Sequence, residues 1–328
     1  MFFWKTGRET ATEPAARHPP PLIVVKPAEL KVLARIGKGS FGEVFKARWQ
    51  DVHIVAVKVL HVSGKSKAER EHLLKQFQKE VRLLSTLHHP NIVRFLGVSD
   101  VSVLPPYFIC EYLNRGTLTN WIRKAEPHLQ QDLAFARDAA RALAFLHAQK
   151  PPIIHRDVKS DNFLLADRDN GLVLKLSDFG LSRVMASLGE KMTPCGTIAY
   201  SAPEVIRCEA YSEKADVYGF GIVLWQLMTH QIEPYPGCTP LQIQLKVSLQ
   251  RARPQIPHRF VDLRIPRLMH LCWREQPDAR PSMAGIAQLL ERLCADLVDP
   301  NGHHRRQLHG VRFPHGGSRP PVEERHHM

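Results

Sequence analysis

The sequence predicts an α+β fold, with strands gathered early in the chain and helices filling most of the rest. Three observations predict it. From residue 30 to 60, apolar and polar residues alternate around closely spaced glycines, as strands and a hairpin require. Residues 66–88 and 129–148 instead repeat apolar side chains at helical spacing. Asp216–Trp225 is apolar nearly all round, the pattern of a helix buried inside a large domain.

The 328 residues suit one large domain or two lobes with ample core. The apolar fraction of 44% is that of a globular protein. A net charge of +13 could serve nucleic acid or an acidic membrane surface. No dense Lys/Arg run or aromatic–basic interleaving accompanies it, so no specific nucleic-acid partner is expected. The six cysteines form no C-x-x-C pair, which argues against a zinc site and for a reducing compartment. The N-terminus has no signal-peptide pattern. The longest apolar run, Val217–Trp225, is too short to span a bilayer. A soluble, cytoplasmic protein is the expectation.

Residues 1–27, with Pro14, Pro19, Pro20 and Pro21, read as a flexible leader; a Pro-rich ligand for another domain is the alternative. Next comes Ile36-Gly37-Lys38-Gly39-Ser40-Phe41-Gly42-Glu43-Val44. A strand follows the last glycine rather than a helix, so these glycines belong at a hairpin tip, where bare backbone can approach phosphates. An ordinary glycine hairpin is the other reading.

Val55-Ala56-Val57-Lys58-Val59-Leu60 is the next strand. A lysine inside such a run needs an anion, and a phosphate or a carboxylate would serve, unless it sits at the strand edge and reaches water. Helix 66–88 keeps Phe77, Val81, Leu84 and His88 in register, with Pro90 beyond its end. Glu80 in that helix is the candidate partner for Lys58, or else one more solvated Glu beside Lys79. Asn91–Leu113 reads as two strands around Val103-Leu-Pro-Pro, and Cys110 is either a pocket residue or an inert buried thiol. Helices over 117–124 and 129–148 follow. Leu133, Phe135, Ala136, Ala139, Ala140, Leu143, Leu146 and His147 form the apolar stripe of the second.

Ile153–Leu165 then places His155, Arg156, Asp157, Lys159, Asp161 and Asn162 between apolar flanks. Burying this cluster without partners would be costly, so a polar site on a rigid scaffold is the economical reading. Asp157 could accept a hydroxyl proton, Lys159 could stabilise phosphate charge and Asn162 could offer an oxygen to a metal. A strand over 171–177 leads to Asp178-Phe179-Gly180. The loop 181–201 carries Ser182, Ser187 and Thr193 as candidate phosphate acceptors, with Arg156 placed to meet such a phosphate. Pro234–Gly237 marks a turn, and 268–273 and 283–293 close the fold as helices. The His-, Arg- and Pro-rich stretch 297–328 reads as disordered.

Several of these stretches resemble protein kinases. Gly37-x-Gly39-x-x-Gly42-x-Val44, Val55-Ala-Val-Lys58, His155-Arg-Asp157-x-Lys159-x-x-Asn162, Asp178-Phe-Gly180 and Ala202-Pro-Glu204 occur in the family's order and near its spacings. The resemblance covers about residues 28–296 and implies two lobes: a small, mainly β lobe with one regulatory helix over 28–111 and a larger, mainly helical lobe over 114–296. It implies Mg-ATP as phosphate donor. Ile36 to Val44, Ala56, Lys58, Cys110, Glu111, Leu113 and Leu164 would surround the nucleotide, Cys110 as gatekeeper and Glu111 and Leu113 through backbone. Asp157, Lys159, Lys58 and Glu80 would be catalytic, and Asn162 and Asp178 would hold Mg²⁺. His155 would pack beneath Phe179, and Thr197 would bond Asp157 and Lys159. Asp216 would accept N–H bonds from the catalytic loop, and Glu204 would pair with Arg280.

Lys159 and Gly196-Thr197 resemble serine/threonine enzymes. Ser212–Gly221, Cys272-Trp273 and Arg280-Pro-Ser282 are similar to the tyrosine-kinase-like group of Raf and mixed-lineage kinases. Ala199-Tyr200-Ser201 departs from that group's usual Trp-Met before Ala-Pro-Glu, which leaves peptide preference open. Protein serine and threonine hydroxyls are the implied acceptors, with activation by another kinase or by trans-autophosphorylation. Tyrosine or dual specificity, and a kinase-like scaffold that transfers nothing, are the competing readings.

Overall fold

Alternating residues in the first third build one antiparallel sheet. Its strands are β1 (Leu30–Gly39), β2 (Gly42–Trp49), β3 (His53–Leu60), β4 (Phe95–Val98) and β5 (Tyr107–Glu111), in the order β1-β2-β3-β5-β4. The computed structural model describes residues 22–298 apart from 40–41, 63, 101, 170, 180–182, 185–196, 258–259 and 261. One face of the sheet buries Val25, Ala47, Val55, Val57, Tyr107 and Ile109 in a core of its own. The opposite face, with Leu60, Phe108 and Cys110, joins the main core.

Helix α1 (Lys67–Thr86) packs Phe77, Val81 and Leu84 against that second face. Ser66 caps it: its hydroxyl accepts from Glu69 N–H at 3.3 Å, and Glu69 accepts from Ser66 N–H at 2.8 Å. The helix stops two residues short of the expected His88, which is exposed, and Leu87 takes the buried place instead. Pro90 keeps His89 out of helical backbone, and the chain turns so that Val93 N–H reaches the Leu176 carbonyl at 2.9 Å.

The end of the expected leader is part of the sheet. Val24 bridges Val98 in parallel, Val98 N–H donates to the Ile23 carbonyl at 2.9 Å, and Tyr107 donates its hydroxyl to the Val25 carbonyl at 2.8 Å. Val25 has no exposed surface. A Cβ on Gly97 would fall 2.7 Å from Val25 Cγ2, so the small residue is what lets this segment approach. Removing residues 1–26 is expected to cost about 2 kcal/mol more than removing 1–21, through loss of the buried valine. Thermal melts of the two truncations should differ by several degrees, and equal midpoints would contradict the assignment.

The rest is mainly helical: α2 (Leu118–Lys124), α3 (Leu129–His147), α4 (Pro203–Ile206), α5 (Lys214–Thr229), α6 (Pro240–Ser248), α7 (Arg264–Cys272) and α8 (Met283–Val298). Two small ribbons, β6 (Ile153–Ile154) with β9 (Arg183–Val184) and β7 (Phe163–Arg168) with β8 (Gly171–Leu176), flank the polar loop between β6 and β7. The apolar α5 is buried from Asp216 to Thr229, as its sequence requires. Helix α8 runs five residues past the expected 293, into the start of the stretch read as tail. The described helices include none long and apolar enough to cross a membrane.

Candidate active site

The functional side chains meet where the sheet faces the helical lobe. Antiparallel pairing sets Lys58 opposite Val44 on one side and Phe108 on the other, so its side chain leaves the sheet toward α1. There Nζ lies 2.7 Å from Glu80 Oε1 and 3.1 Å from Asp178 Oδ1. Burial works to lower the lysine's pKa, but Glu80 and then Asp178 outweigh it and raise it above the ordinary value. Of the two anions open to Lys58 from its sequence, the structure supplies carboxylates.

The other described residues expected near a nucleotide lie on β1, β2, β3, β5 and β7 and just past β5. Gly39 pairs with Gly42 across the β1–β2 hairpin, while Ser40 and Phe41 lie outside the described residues. A Cβ on Gly42 would collide with the Val59 carbonyl oxygen, so neighbouring β3 alone demands glycine there. Ile36 and Lys38 are exposed on β1, and Glu43 bonds Arg35 at 2.8 Å. Ala56 pairs with buried Cys110. Burial above all pushes the Cys110 thiol up to about 12, so the side chain is an uncharged thiol whether or not it faces a nucleotide. The Glu111 N–H is taken by the Arg94 carbonyl at 3.0 Å, and its carboxylate holds Lys175 at 2.6 Å. Among the described residues, neither backbone polar group of Leu113 has a backbone partner. Leu164 lies half-buried on β7 and bridges Thr117.

The polar loop is held at both ends. Asp216 in the first turn of α5 accepts from His155 N–H at 2.8 Å and Arg156 N–H at 2.9 Å, as expected. It also accepts from His147 Nε2 at 2.9 Å, a role hidden when His147 is counted only in the α3 stripe. Burial pushes the Asp216 carboxyl up, yet His147 and the other donors hold it below the ordinary value. His155 stands edge-on to buried Phe179, with ring centroids 5.3 Å apart.

Within the loop, Asp157 Oδ2 lies 2.7 Å from Lys159 Nζ and accepts from Asn162 Nδ2 at 2.9 Å. Thr197 approaches from the far side: its N–H donates to Asp157 Oδ1 at 3.2 Å, and its hydroxyl accepts from Lys159 at 3.0 Å. Ser182, Ser187 and Thr193 lie outside the described residues. Arg280 donates to both carboxylate oxygens of Glu204, at 2.6 and 2.8 Å, in a fully buried fork.

Asn162 turns its NH₂ group to Asp157, at 2.7 Å from the carbonyl, which leaves its own amide oxygen to ligate a cation. Asp178 is half-exposed. Two hard oxygens of this kind fit Mg²⁺, which takes few protein ligands and completes its shell with phosphate and water. Among the described residues, no group of three or more His, Cys, Asp or Glu could hold a metal without such help.

Some site contacts had no announcement in the motifs. The Lys46 ammonium sits over the Tyr112 ring, 4.8 Å from its centroid, and Tyr211 holds Arg156. An aromatic residue immediately after the last β-strand of the sheet was the available signal for the first.

Comparison with known proteins agrees with this arrangement. The family model for protein tyrosine and serine/threonine kinases matches residues 30–290. The protein named as probable serine/threonine-protein kinase drkA of Dictyostelium discoideum is 39% identical over 278 residues, 84% of this chain and 40% of that protein. Serine/threonine-protein kinase CTR1 of Arabidopsis thaliana is 39% identical over 280 residues, 83% of this chain and 32% of that protein. The chain thus spans well under two thirds of the length of these relatives.

Proposed function

Since the chain belongs to the protein tyrosine and serine/threonine kinase family, we propose that it transfers the γ-phosphoryl group of Mg-ATP to serine and threonine hydroxyls of proteins. The observation that carries this reading is the triangle of Asp157, Lys159 and Thr197, with contacts of 2.7, 3.0 and 3.2 Å. It holds a carboxylate and an ammonium on one loop, in the cleft entered by Lys58. The names of the relatives favour serine and threonine over tyrosine.

In this mechanism Asp157 orients the acceptor hydroxyl and takes its proton as the oxygen attacks phosphorus. Lys58, fixed by Glu80, meets the α- and β-phosphates. Lys159 offsets charge on the group in transit. Asn162 and Asp178 would hold Mg²⁺, which supplies charge neutralisation to the phosphates. Backbone at the β1–β2 hairpin and at Leu113, with Val44, Ala56, Cys110 and Leu164, would enclose the nucleotide. Positioning and electrostatics account for the acceleration, since the protein forms no bond to the substrate. The catalytic unit is residues 28–296 together with the β4-edge segment, acting in intracellular signalling and switched on by another kinase or in trans.

Incubation with labelled Mg-ATP tests this, with wild type and Asp157→Asn side by side and the products mapped by mass spectrometry. Label on serine or threonine in wild type alone is the expected result. Label in both proteins overturns the role of Asp157. Label on tyrosine overturns the specificity, and ATP binding without label in either protein favours a scaffold.

A further inference from the structure

Arg156 precedes the proposed base and has the unusual backbone of the loop, with φ of 72°. A side-chain-bearing residue rests in that left-handed region only when its surroundings over-determine it. Among the described residues, Asp216 and Tyr211 contribute to this. Asp216 accepts the N–H groups of His155 and Arg156, which fixes the peptide on one side. Tyr211, buried in the segment between α4 and α5, fixes the side chain. Its hydroxyl accepts from Arg156 Nε at 2.8 Å, and its ring lies under the guanidinium with 5.9 Å from carbon to centroid. A hydrogen bond from a charged donor and a ring face together define one rotamer.

Arg156, Tyr211, Asp157 and Thr197 also line a common cavity beneath the loop. Without the tyrosine hydroxyl, the guanidinium would lose one of the contacts that hold its rotamer beside that space, and the strained Arg156 backbone one of its supports. Asp157 is the next residue, so any relaxation there moves the carboxylate relative to Thr197 and Lys159. The nucleotide-facing groups on the sheet share no contact with Tyr211 among those described.

We propose that Tyr211 is a positioning residue of the catalytic loop, which holds the Arg156 side chain and through it the peptide that carries Asp157. The proposal rests on the kinase reading above. It makes Tyr211 matter for the transfer step and not for nucleotide binding.

The test uses the full chain as wild type, Tyr211→Phe, Arg156→Met and the double variant. Each is assayed for kcat, KM for ATP, affinity for a non-hydrolysable ATP analogue and thermal midpoint. Tyr211→Phe keeps the ring and removes only the hydroxyl. It should lower kcat about tenfold, as loss of a hydrogen bond to a charged group implies, with KM and analogue affinity unchanged. In the Arg156→Met background, Tyr211→Phe should cost nothing further. Wild-type kcat in Tyr211→Phe overturns the proposal, as does a loss that multiplies with that of Arg156→Met. A fall in thermal midpoint with kcat, KM and analogue affinity worsening together overturns it too, by making the contact merely structural. A wild type that binds the analogue yet transfers nothing overturns the kinase reading itself, and the role of Tyr211 with it.

Discussion

Lys58→Met is expected to give a folded protein whose transfer of labelled phosphate falls at least about a hundredfold, the scale of losing one preorganised charge-stabilising donor. Methionine preserves most of the lysine stem, so the packing of β3 against α1 should survive. What disappears is the ammonium that bridges Glu80 on α1 and Asp178 beyond β8, at 2.7 and 3.1 Å. Both carboxylates then face the phosphate site without that cation between them, and an incoming polyphosphate meets negative charge in place of positive. The check is an initial-rate assay beside a thermal melt. A variant that melts near wild type and has lost transfer fits the argument. Full activity would mean that the phosphates are held elsewhere and that this cleft is not the transfer site.

Arg280→Met is expected to cost about 3–5 kcal/mol of stability, the range for removing one partner of a buried ion pair. Arg280 is 1% exposed and Glu204 2% exposed, so the orphaned carboxylate has no route to water. Arg280 also donates to the carbonyls of Arg274 and Lys214, at 2.8 and 2.9 Å, so its loss strands further acceptors. Chemical denaturation should show the full decrement. Replacing Glu204 by leucine in the same chain should recover part of it, because the penalty is an unpaired buried charge rather than a missing attraction. Arg264 and Asp296 form a pair of similar length, 2.7 Å, but are 48% and 43% exposed. Breaking that pair should cost no more than about 1 kcal/mol.

The residues proposed to carry the chemistry stand out because the proposed roles demand particular side chains at short, fixed offsets within single loops. Asp157, Lys159 and Asn162 lie within six residues. Pairings across the chain were readable only where a family resemblance supplied them, as for Lys58 with Glu80 and Glu204 with Arg280. Tyr211 and His147 had no such help. Their partners, Arg156 and Asp216, lie 55 and 69 residues away, and a tyrosine or histidine beside apolar residues carries no mark of its function. Helix α6 was missed although Thr239-Pro240 and Gln242 form a start signal, with Gln242 N–H donating to the Thr239 hydroxyl at 3.3 Å. Its buried face is only Ile243 and Val247, while Leu241 and Leu245 are exposed, so the apolar residues of this nine-residue stretch trace no single stripe. The edge segment was hidden for a compositional reason. Pro19, Pro20 and Pro21 coloured the reading of Leu22–Val25, whose run of four apolar residues was itself the sign of a strand.

Asp216 joins three parts of the molecule: its two carboxylate oxygens take the end of α3 through His147 and the Asp157 loop through two consecutive amides, and its backbone belongs to α5. None of these can be released alone without leaving an unmatched polar group in the interior. The loop that carries Asp157 therefore shares the fate of the most deeply buried of the described helices. It has no cheap way to loosen by degrees, so Asp157 is carried on backbone tied directly to the core.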